Sequence, residues 1–81
     1  MFRITDGIKF ATSLKHGNIN MTKNGKVFMT LGALKAHIVA IVKYNSRKYD
    51  KKELDKYMEY DVINVSGEVL GKVKDFYKEK Q

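Results

Sequence analysis

The sequence predicts an α+β fold in which a small, mainly antiparallel sheet, made of two hairpins and a later strand, is packed by a central helix and a C-terminal helix. Three observations favour this fold. Two turn signals that contain glycine, Asp6-Gly7 and Asn24-Gly25, separate short segments rich in apolar residues. Two segments, 31–44 and 69–77, carry apolar residues at helical spacing. A third, 57–65, is rich in Tyr and Val. With 81 residues, the chain is expected to form a single domain, 1–81.

The first hairpin is predicted to join strands 2–5 and 8–12. A two-residue loop at Asp6-Gly7 would put the apolar residues on opposite faces of the hairpin. A three-residue loop that begins at Thr5 gives one apolar face, because it pairs Ile4 with Ile8 and Phe2 with Phe10. We prefer this second register, since a strand with one buried face specifies its register.

The second hairpin is predicted over Ile19–Lys23 and Lys26–Met29. The dipeptide Asn24-Gly25 between them is a strong signal for a two-residue hairpin turn. This register pairs Met21 with Phe28. The polar stretch before it, Ser13–Asn18, is expected to be a loop.

The central helix is predicted to begin after Thr30, which is a suitable N-cap, and to end at about Tyr44. One apolar stripe at helical spacing consists of Leu31, Leu34, Ile38, Ile41 and Val42. The opposite side carries small apolar residues where charge is usual, so it is either buried or faces a partner. The candidate protein interface on this side is Ala36, Val39 and Ala40.

The C-terminal half is predicted to contain a short helix, a strand, a turn and a helix. The helix over Lys51–Lys56 follows Asp50, which has Glu53 three residues later in the pattern of a capping box. The strand is expected over Tyr57–Val65 and the turn at Ser66-Gly67. A helical stripe then follows, formed by Val69, Leu70, Val73, Phe76 and Tyr77.

The charge of the chain is very unevenly distributed. Residues 1–49 hold nine basic side chains and one acidic side chain, or +8, and residues 50–81 hold seven basic and eight acidic side chains, or −1. The two values sum to the net charge of +7. Such an asymmetry indicates an acidic partner, either nucleic acid or the acidic surface of a protein. The alternative is that the lysines only keep the surface solvated.

Phosphate binding needs cations that converge, and single-strand binding also needs aromatic side chains among them. Phe10 and Phe28 lie on apolar strand faces and are therefore assigned to the core, whereas Tyr44 and Tyr49 lie close to basic residues in the sequence. The residues expected to bind an acidic partner or nucleic acid are Lys9, Lys15, Lys23, Lys26, Lys35, Lys43, Tyr44, Arg47, Lys48 and Tyr49. Gly32, near the helix start, is expected to let the backbone approach a neighbouring strand or, alternatively, a phosphate.

The sequence gives little support for an enzyme. Catalysis needs a titratable group and a second group that orients it. The only acidic residue in the half of the chain that holds His16 and His37 is Asp6. No P-loop, HExxH or dinucleotide-binding motif is present, and without cysteine no thiolate metal site can form. We therefore expect no catalytic residues, no cofactor and no metal. The lack of a long apolar segment leads us to expect a cytoplasmic protein with no membrane partner.

One segment has a recognisable pattern. Thr22-Lys23-Asn24-Gly25-Lys26 is followed, after Val27-Phe28-Met29-Thr30, by Leu31-Gly32-Ala33-Leu34-Lys35-Ala36-His37. This segment resembles a loose family of small tailed-bacteriophage accessory proteins with a (S/T)-K-x-G-K … L-G-x-L-K-x-H pattern. A later strand, Glu59-Tyr60-Asp61-Val62, also looks similar. The family aromatic usually follows Gly-Lys directly, whereas Val27 intervenes here. The resemblance implies no activity and no catalytic residue.

The sequence therefore favours a non-enzymatic basic binding module. The resemblance implies a phage-type accessory protein that acts in the host cytoplasm by stoichiometric binding, and the charge asymmetry favours nucleic acid or a nucleic-acid-containing complex as its target. Two alternatives stay open. One is a protein-only inhibitor of a host defence or transcription protein, and the other is a homodimer formed through the Ala36 side of the helix.

Overall fold

The computed structural model describes residues 1–15, 18–44 and 51–77. It contains five strands and three α-helices, with one π-helical turn. In chain order the elements are β1 (Phe2–Thr5), β2 (Phe10–Lys15), β3 (Asn18–Thr22), α1 (Leu31–Val39), the π-helical turn (Ala40–Tyr44), α2 (Lys51–Met58), β4 (Asp61–Asn64), β5 (Val69–Lys72) and α3 (Val73–Phe76).

The five strands form one antiparallel sheet in the order β3-β2-β1-β4-β5. The central strand β1 pairs along its whole length with β4, from Phe2 with Asn64 to Thr5 with Asp61. On its other side, only Thr5 pairs with β2, while Phe2 forms a single antiparallel bridge with Phe28. The predicted α+β class, with helices packed on a small antiparallel sheet, is confirmed.

The core lies between the helices and one face of the sheet, which we call the inner face. Its buried strand residues are Ile4, Ala11, Ile19 and Val62. The helical residues buried against them are Leu34, Ile38, Ile41, Tyr57 and Val73. Leu34 and Ile38 are fully buried members of the predicted helical stripe. Truncation of either to alanine is expected to cost about 2–5 kcal/mol.

The predicted register of the first hairpin is wrong. Thr5, rather than Ile4, is the last paired residue of β1, and its partner is Phe10, so the connection has four residues. The Asp6 carboxylate accepts hydrogen bonds from the N–H groups of Ile8 and Lys9, both at 2.8 Å. These bonds close a wider turn that leaves Ile8 84% exposed, and the pairing of Ile4 with Ile8 does not form.

The predicted second hairpin is also replaced. The chain does turn at Asn24-Gly25, where Gly25 has a φ of +70°. The following residues, however, do not return along β3, which pairs with β2 instead and places Met21 opposite Ala11. The segment passes the start of β2, so the N–H of Lys26 donates to Ala11 and Phe28 reaches β1. The segment expected to be a loop is largely strand, and residues 16 and 17, between β2 and β3, lie outside the described residues.

The start of α1 agrees with the prediction. The Thr30 hydroxyl accepts a hydrogen bond from the N–H of Ala33 at 3.1 Å, as an N-cap side chain does. Helical structure continues to Tyr44 as expected, although its last five residues form a π-helical turn. A Cβ placed on Gly32 would meet only the Thr30 hydroxyl, at 3.8 Å, so this glycine does not serve a close approach to a strand.

The C-terminal half differs most from the prediction. The short helix extends to Met58, and the strand expected over Tyr57–Val65 is confined to Asp61–Asn64. The expected C-terminal helix begins as strand β5, and only Val73–Phe76 is helical. Gly71 has a φ of +155°, and a Cβ there would lie 3.1 Å from the Phe76 ring. Asp50, the expected cap of α2, lies outside the described residues.

Candidate nucleic-acid interface

The second face of the sheet, the outer face, is not covered by any helix of the described part of the chain, because the buried residues of these helices all join the inner-face core. Residues directly opposite each other on paired strands point to the same face. One row across the outer face therefore runs through Lys72, Asp61, Thr5, Phe10 and Thr22. The next row contains Val69, Ile63 and Arg3.

Arg3 and Phe10 are in contact on this face. The guanidinium carbon of Arg3 lies 4.1 Å from the centroid of the Phe10 ring, which is within cation–π distance. Nη1 of Arg3 also donates a hydrogen bond of 3.3 Å to the carbonyl oxygen of Asn24. Both side chains are half-buried. The ring and the carbonyl together hold the guanidinium at a defined place on the outer face.

Lys9 and Lys23 lie just beyond the end of β2 and β3 that carries Phe10 and Thr22. The last pair between β2 and β3 at this end is Phe10 with Thr22, and each lysine is the next residue beyond that pair. Both lysines are exposed. The backbone N–H groups of Lys9 and then Ile8 lower the pKa of Asp6, because they donate to its ionised carboxylate. That carboxylate therefore stays charged and fixes the turn that carries Lys9.

The salt bridges between described residues all lie within residues 51–74. Lys72 contacts Asp61 at 3.6 Å and Glu59 at 4.0 Å, while Lys74 contacts Glu59 at 3.1 Å. The remaining pair is Lys51 with Asp55. Asp61, the acidic residue of the outer-face row, is thus already occupied by a lysine of the adjacent strand. Over the described residues, no salt bridge joins a carboxylate to Arg3, Lys9, Lys23, Lys26 or Lys35.

An apolar groove lies beside Arg3 at the opposite end of β1 from the lysines. Its volume is about 110 Å³, and it is lined by Met1, Phe2, Arg3, Val27 and Val65. The side chains of Met1, Val27 and Val65 are 56%, 49% and 76% exposed, which is high for apolar residues. Arg3 therefore connects two features, the Phe10 ring on one side and the groove on the other. We call Arg3, Phe10, Lys9, Lys23 and this groove the outer-face site.

The other predicted basic residues do not join this site. Nζ of Lys26 lies 5.7 Å from the centroid of the Phe28 ring, at the edge of the core. Lys35 and Lys43 are exposed on the helical layer, on the other side of the sheet. The side chains of Lys15 and Tyr44, and all of Arg47, Lys48 and Tyr49, lie outside the described residues.

The predicted protein interface on α1 is partly open. Ala36 is exposed, while Val39 and Ala40 are half-buried. The fully buried residues of this helix, Leu34 and Ile38, lie on its other side. The helix therefore has one buried side and is not covered all round by the described residues.

His37 packs at the edge of the core. Its ring lies 4.9 Å from the Phe28 ring, between centroids, and its Nε2 atom is buried with no hydrogen-bond partner in the described part of the chain. Burial lowers the pKa of His37, and the charge of Lys26 lowers it further, although a hydrogen bond with the backbone of Thr12 acts in the opposite direction. A neutral imidazole suits this place, because a cation there would be poorly solvated.

Sequence reasoning missed two parts of the outer-face site. It assigned Phe10 to the core, because the expected register turned this residue to the apolar face, and it did not consider the groove. Alternation along β1 could have placed Arg3 on the outer face, since Ile4 next to it is apolar. The groove had no local signal, because its walls come from three separate segments.

Within 1–15, 18–44 and 51–77, no cluster of three or more His, Cys, Asp or Glu residues is arranged to hold a metal ion. The same ranges contain no helix that is long and apolar enough to span a membrane.

Comparison with known proteins adds no relative. No protein-family model matches the chain, and neither a curated protein nor a solved structure matches it.

Proposed function

We propose that this protein is a non-enzymatic basic binding module, which acts by stoichiometric binding to an acidic macromolecule, with nucleic acid or a nucleic-acid-containing complex as the favoured target. The observation that carries the proposal is the distribution of ion pairs. Three described acidic residues of the C-terminal half, Asp55, Glu59 and Asp61, form salt bridges with lysines of that same half, whereas Arg3, Lys9 and Lys23 form no salt bridge in the described ranges.

The position of these cations supports nucleic acid as the target. Arg3 lies over the Phe10 ring on a sheet face that the described helices leave open, and Lys9 and Lys23 adjoin the end of the strand pair that carries this ring. Phosphate groups would provide these cations with the negatively charged partners that the described carboxylates do not provide. Each neutralised phosphate also releases counterions. Lys9 and Lys23 are exposed, and exposed cations contribute little to folding, so the position of these two lysines is better explained by a partner than by stability.

The resemblance of the Thr22–His37 segment favours a phage-type accessory protein as the biological setting. Such a protein would act in the host cytoplasm and would need no catalytic centre. Sequestering or blocking a host nucleic-acid complex by occupying its surface requires only affinity and abundance.

The experiment that tests this function is a titration of labelled DNA and RNA with the protein at two salt concentrations. We expect binding at low salt that weakens steeply as salt rises, because each contacted phosphate adds to the salt dependence. No binding of either nucleic acid at low salt would overturn the proposal.

A second candidate is a protein-only inhibitor of a host defence or transcription protein, or a homodimer. The observation in its favour is the open side of α1, where Ala36 is exposed and Val39 and Ala40 are half-buried. Capture of a host protein in the presence of nuclease, or a doubled mass in solution, would favour this candidate.

A further inference from the structure

We infer that the nucleic acid bound by the outer-face site is single-stranded, with one base stacked on the guanidinium of Arg3 and seated against the neighbouring apolar groove. This inference rests on the proposed function and specifies its ligand. It goes beyond that function because it attributes recognition to the flat guanidinium of Arg3 and to the apolar groove, rather than to charge alone.

The first argument is that Arg3 is fixed and its charge is not neutralised. Phe10 supports the guanidinium from one side at 4.1 Å, and the carbonyl of Asn24 accepts one of its N–H groups at 3.3 Å. Unstacked bases are commonly bound on aromatic rings or on guanidinium planes. A guanidinium that is already held in place loses little conformational freedom when a base stacks on it.

The second argument is the groove. Its apolar walls, Met1, Val27 and Val65, are unusually exposed, and Arg3 forms part of its lining. At about 110 Å³ it is too small for a drug-sized ligand, since pockets for such ligands are typically about 300–1,000 Å³. It suits one flat ring or one apolar side chain. The adjacent cation makes an anionic polymer that carries flat rings the better match.

The third argument is the distance, along the direction of β1, between the groove and the two lysines. The groove lies at the start of β1 and the two exposed lysines, Lys9 and Lys23, lie beyond its end. The four residues of β1 span about 13 Å at about 3.3 Å per residue. This length suits a short stretch of single strand, shorter than the site sizes of about 4–16 nucleotides known for small single-strand-binding domains.

A duplex fits this face less well. Its bases are stacked inside the helix, so the Arg3 plane and the groove would meet only sugar and phosphate. Major-groove recognition requires a projecting helix or ribbon, and the described helices pack against the inner face. The apolar walls of the groove would gain nothing from a phosphate backbone.

The test compares a labelled oligothymidylate of about 12 nucleotides with a hairpin duplex of the same length, by fluorescence anisotropy at low salt. We expect the single strand to bind at least about tenfold more tightly than the duplex. Arg3→Lys keeps the charge but removes the plane, and should weaken single-strand binding roughly tenfold, the equivalent of one base stack. Duplex binding should change much less.

A second variant and a control keep the test independent of folding. Val65→Asp changes an exposed residue and places a carboxylate at the groove, so it should also weaken single-strand binding. Lys35→Gln, on the helical layer, should leave the preference for single strands unchanged. Melting temperatures measured by circular dichroism confirm that each variant is folded.

The outcomes separate this inference from the proposed function. Equal affinity for both nucleic acids, with Arg3→Lys and Val65→Asp indistinguishable from the parent, overturns the single-strand inference and leaves the function intact. No binding to either nucleic acid overturns both. Tight binding of a labelled acidic peptide that contains one apolar anchor, weakened by Arg3→Lys and without a preference for single strands, also overturns the inference and identifies a protein partner for the groove.

Discussion

Arg3 and Phe10 are held together across neighbouring strands, with the Arg3 guanidinium carbon 4.1 Å from the Phe10 ring centroid. The contact depends on the hairpin register, because the pairing of Thr5 with Phe10 turns the ring to the same face as Arg3. A register shifted by one residue would reverse the face of the ring. The outer-face site is therefore a consequence of how the Asp6 turn sets the register of β1 and β2.

The close approach of Gly25 to β2 gives a prediction about stability. A Cβ at this position would collide with the Cβ of Phe10, and the φ of +70° disfavours any other residue. Gly25→Ala should therefore lower the free energy of unfolding by more than about 2 kcal/mol, since both strain and overpacking contribute. Gly67→Ala is the matched control, because Gly67 has a φ of +89° but nothing within 4 Å of a Cβ.

Gly67→Ala should lower the free energy of unfolding by only about 1 kcal/mol, because only the strained backbone conformation contributes. Urea unfolding followed by circular dichroism measures both values. Equal losses in the two variants would show that the contact with Phe10 does not constrain the chain.

The N-cap of α1 gives a second prediction. Thr30→Ala removes the acceptor for the N–H of Ala33 and should reduce stability by about 1 kcal/mol. Thr30→Ser retains the hydroxyl and should recover most of that loss. If the alanine and serine variants unfold at the same urea concentration, the hydroxyl does not cap the helix.

The buried imidazole of His37 gives a pH prediction. Its pKa is lowered in the folded protein. Above the ordinary value of about 6.5, the imidazole is therefore neutral in both the folded and the unfolded chain and does not reduce stability. As the pH falls from about 6.5 towards the lowered pKa, the unfolded chain takes up a proton that the folded chain does not, and stability decreases. Below the folded pKa this loss levels off.

His37→Gln removes this titration, so its melting temperature should fall less than that of the parent between about pH 7 and pH 5. The comparison uses the change in melting temperature with pH rather than the melting temperature itself, because the substitution also alters packing against Phe28. Parallel curves for the parent and the variant would show that His37 does not contribute to the pH dependence.

The open side of α1 gives a prediction that separates the two candidate functions. Ala36 is exposed, so Ala36→Arg should change stability by less than about 0.5 kcal/mol. If nucleic acid binds at the outer face, this variant should keep the mass and the nucleic-acid affinity of the parent. A loss of dimer mass in size-exclusion chromatography would instead support the homodimer. Ala40→Arg, at a half-buried position, should destabilise the domain because it places a charge against the core.

The parts of the fold that depend on local sequence could be predicted. Thr30 and the stripe that includes Leu34 and Ile38 define α1 through neighbours three or four residues away, and the structure agrees with them. The turn at Asn24-Gly25 was also recognisable. Its two arms do not pair with each other, because each finds a better partner in β2 or β1, and no local pattern reveals that choice.

The C-terminal error has a comparable cause. Val69 and Leu70 match helical spacing with Val73, yet Val69 pairs with Ile63 in the sheet. Tertiary pairing with β4 outweighs this short periodic pattern, and Gly71 weakens the helical alternative by about 1 kcal/mol.

In the candidate site, the abundance of cations was evident from the sequence. Their division between the outer face and the helical layer was not, because it depends on the sheet order.

The most direct test of the central claim compares two double variants of equal net charge. Lys9→Glu with Lys23→Glu reverses charge at the outer-face site, and Lys35→Glu with Lys52→Glu makes the same change at exposed positions of the helical layer. All four side chains are exposed, so neither variant should lose much stability. The quantity measured is the slope of log K against log salt concentration for single-stranded nucleic acid.

We expect the outer-face variant to bind much more weakly and its slope to become shallower by about 1.4, the loss of two phosphate contacts at about 0.7 each. The helical-layer variant should retain the slope of the parent and most of its affinity. If both variants weaken binding equally, with the same slope, the interaction depends only on net charge and the outer-face site is contradicted.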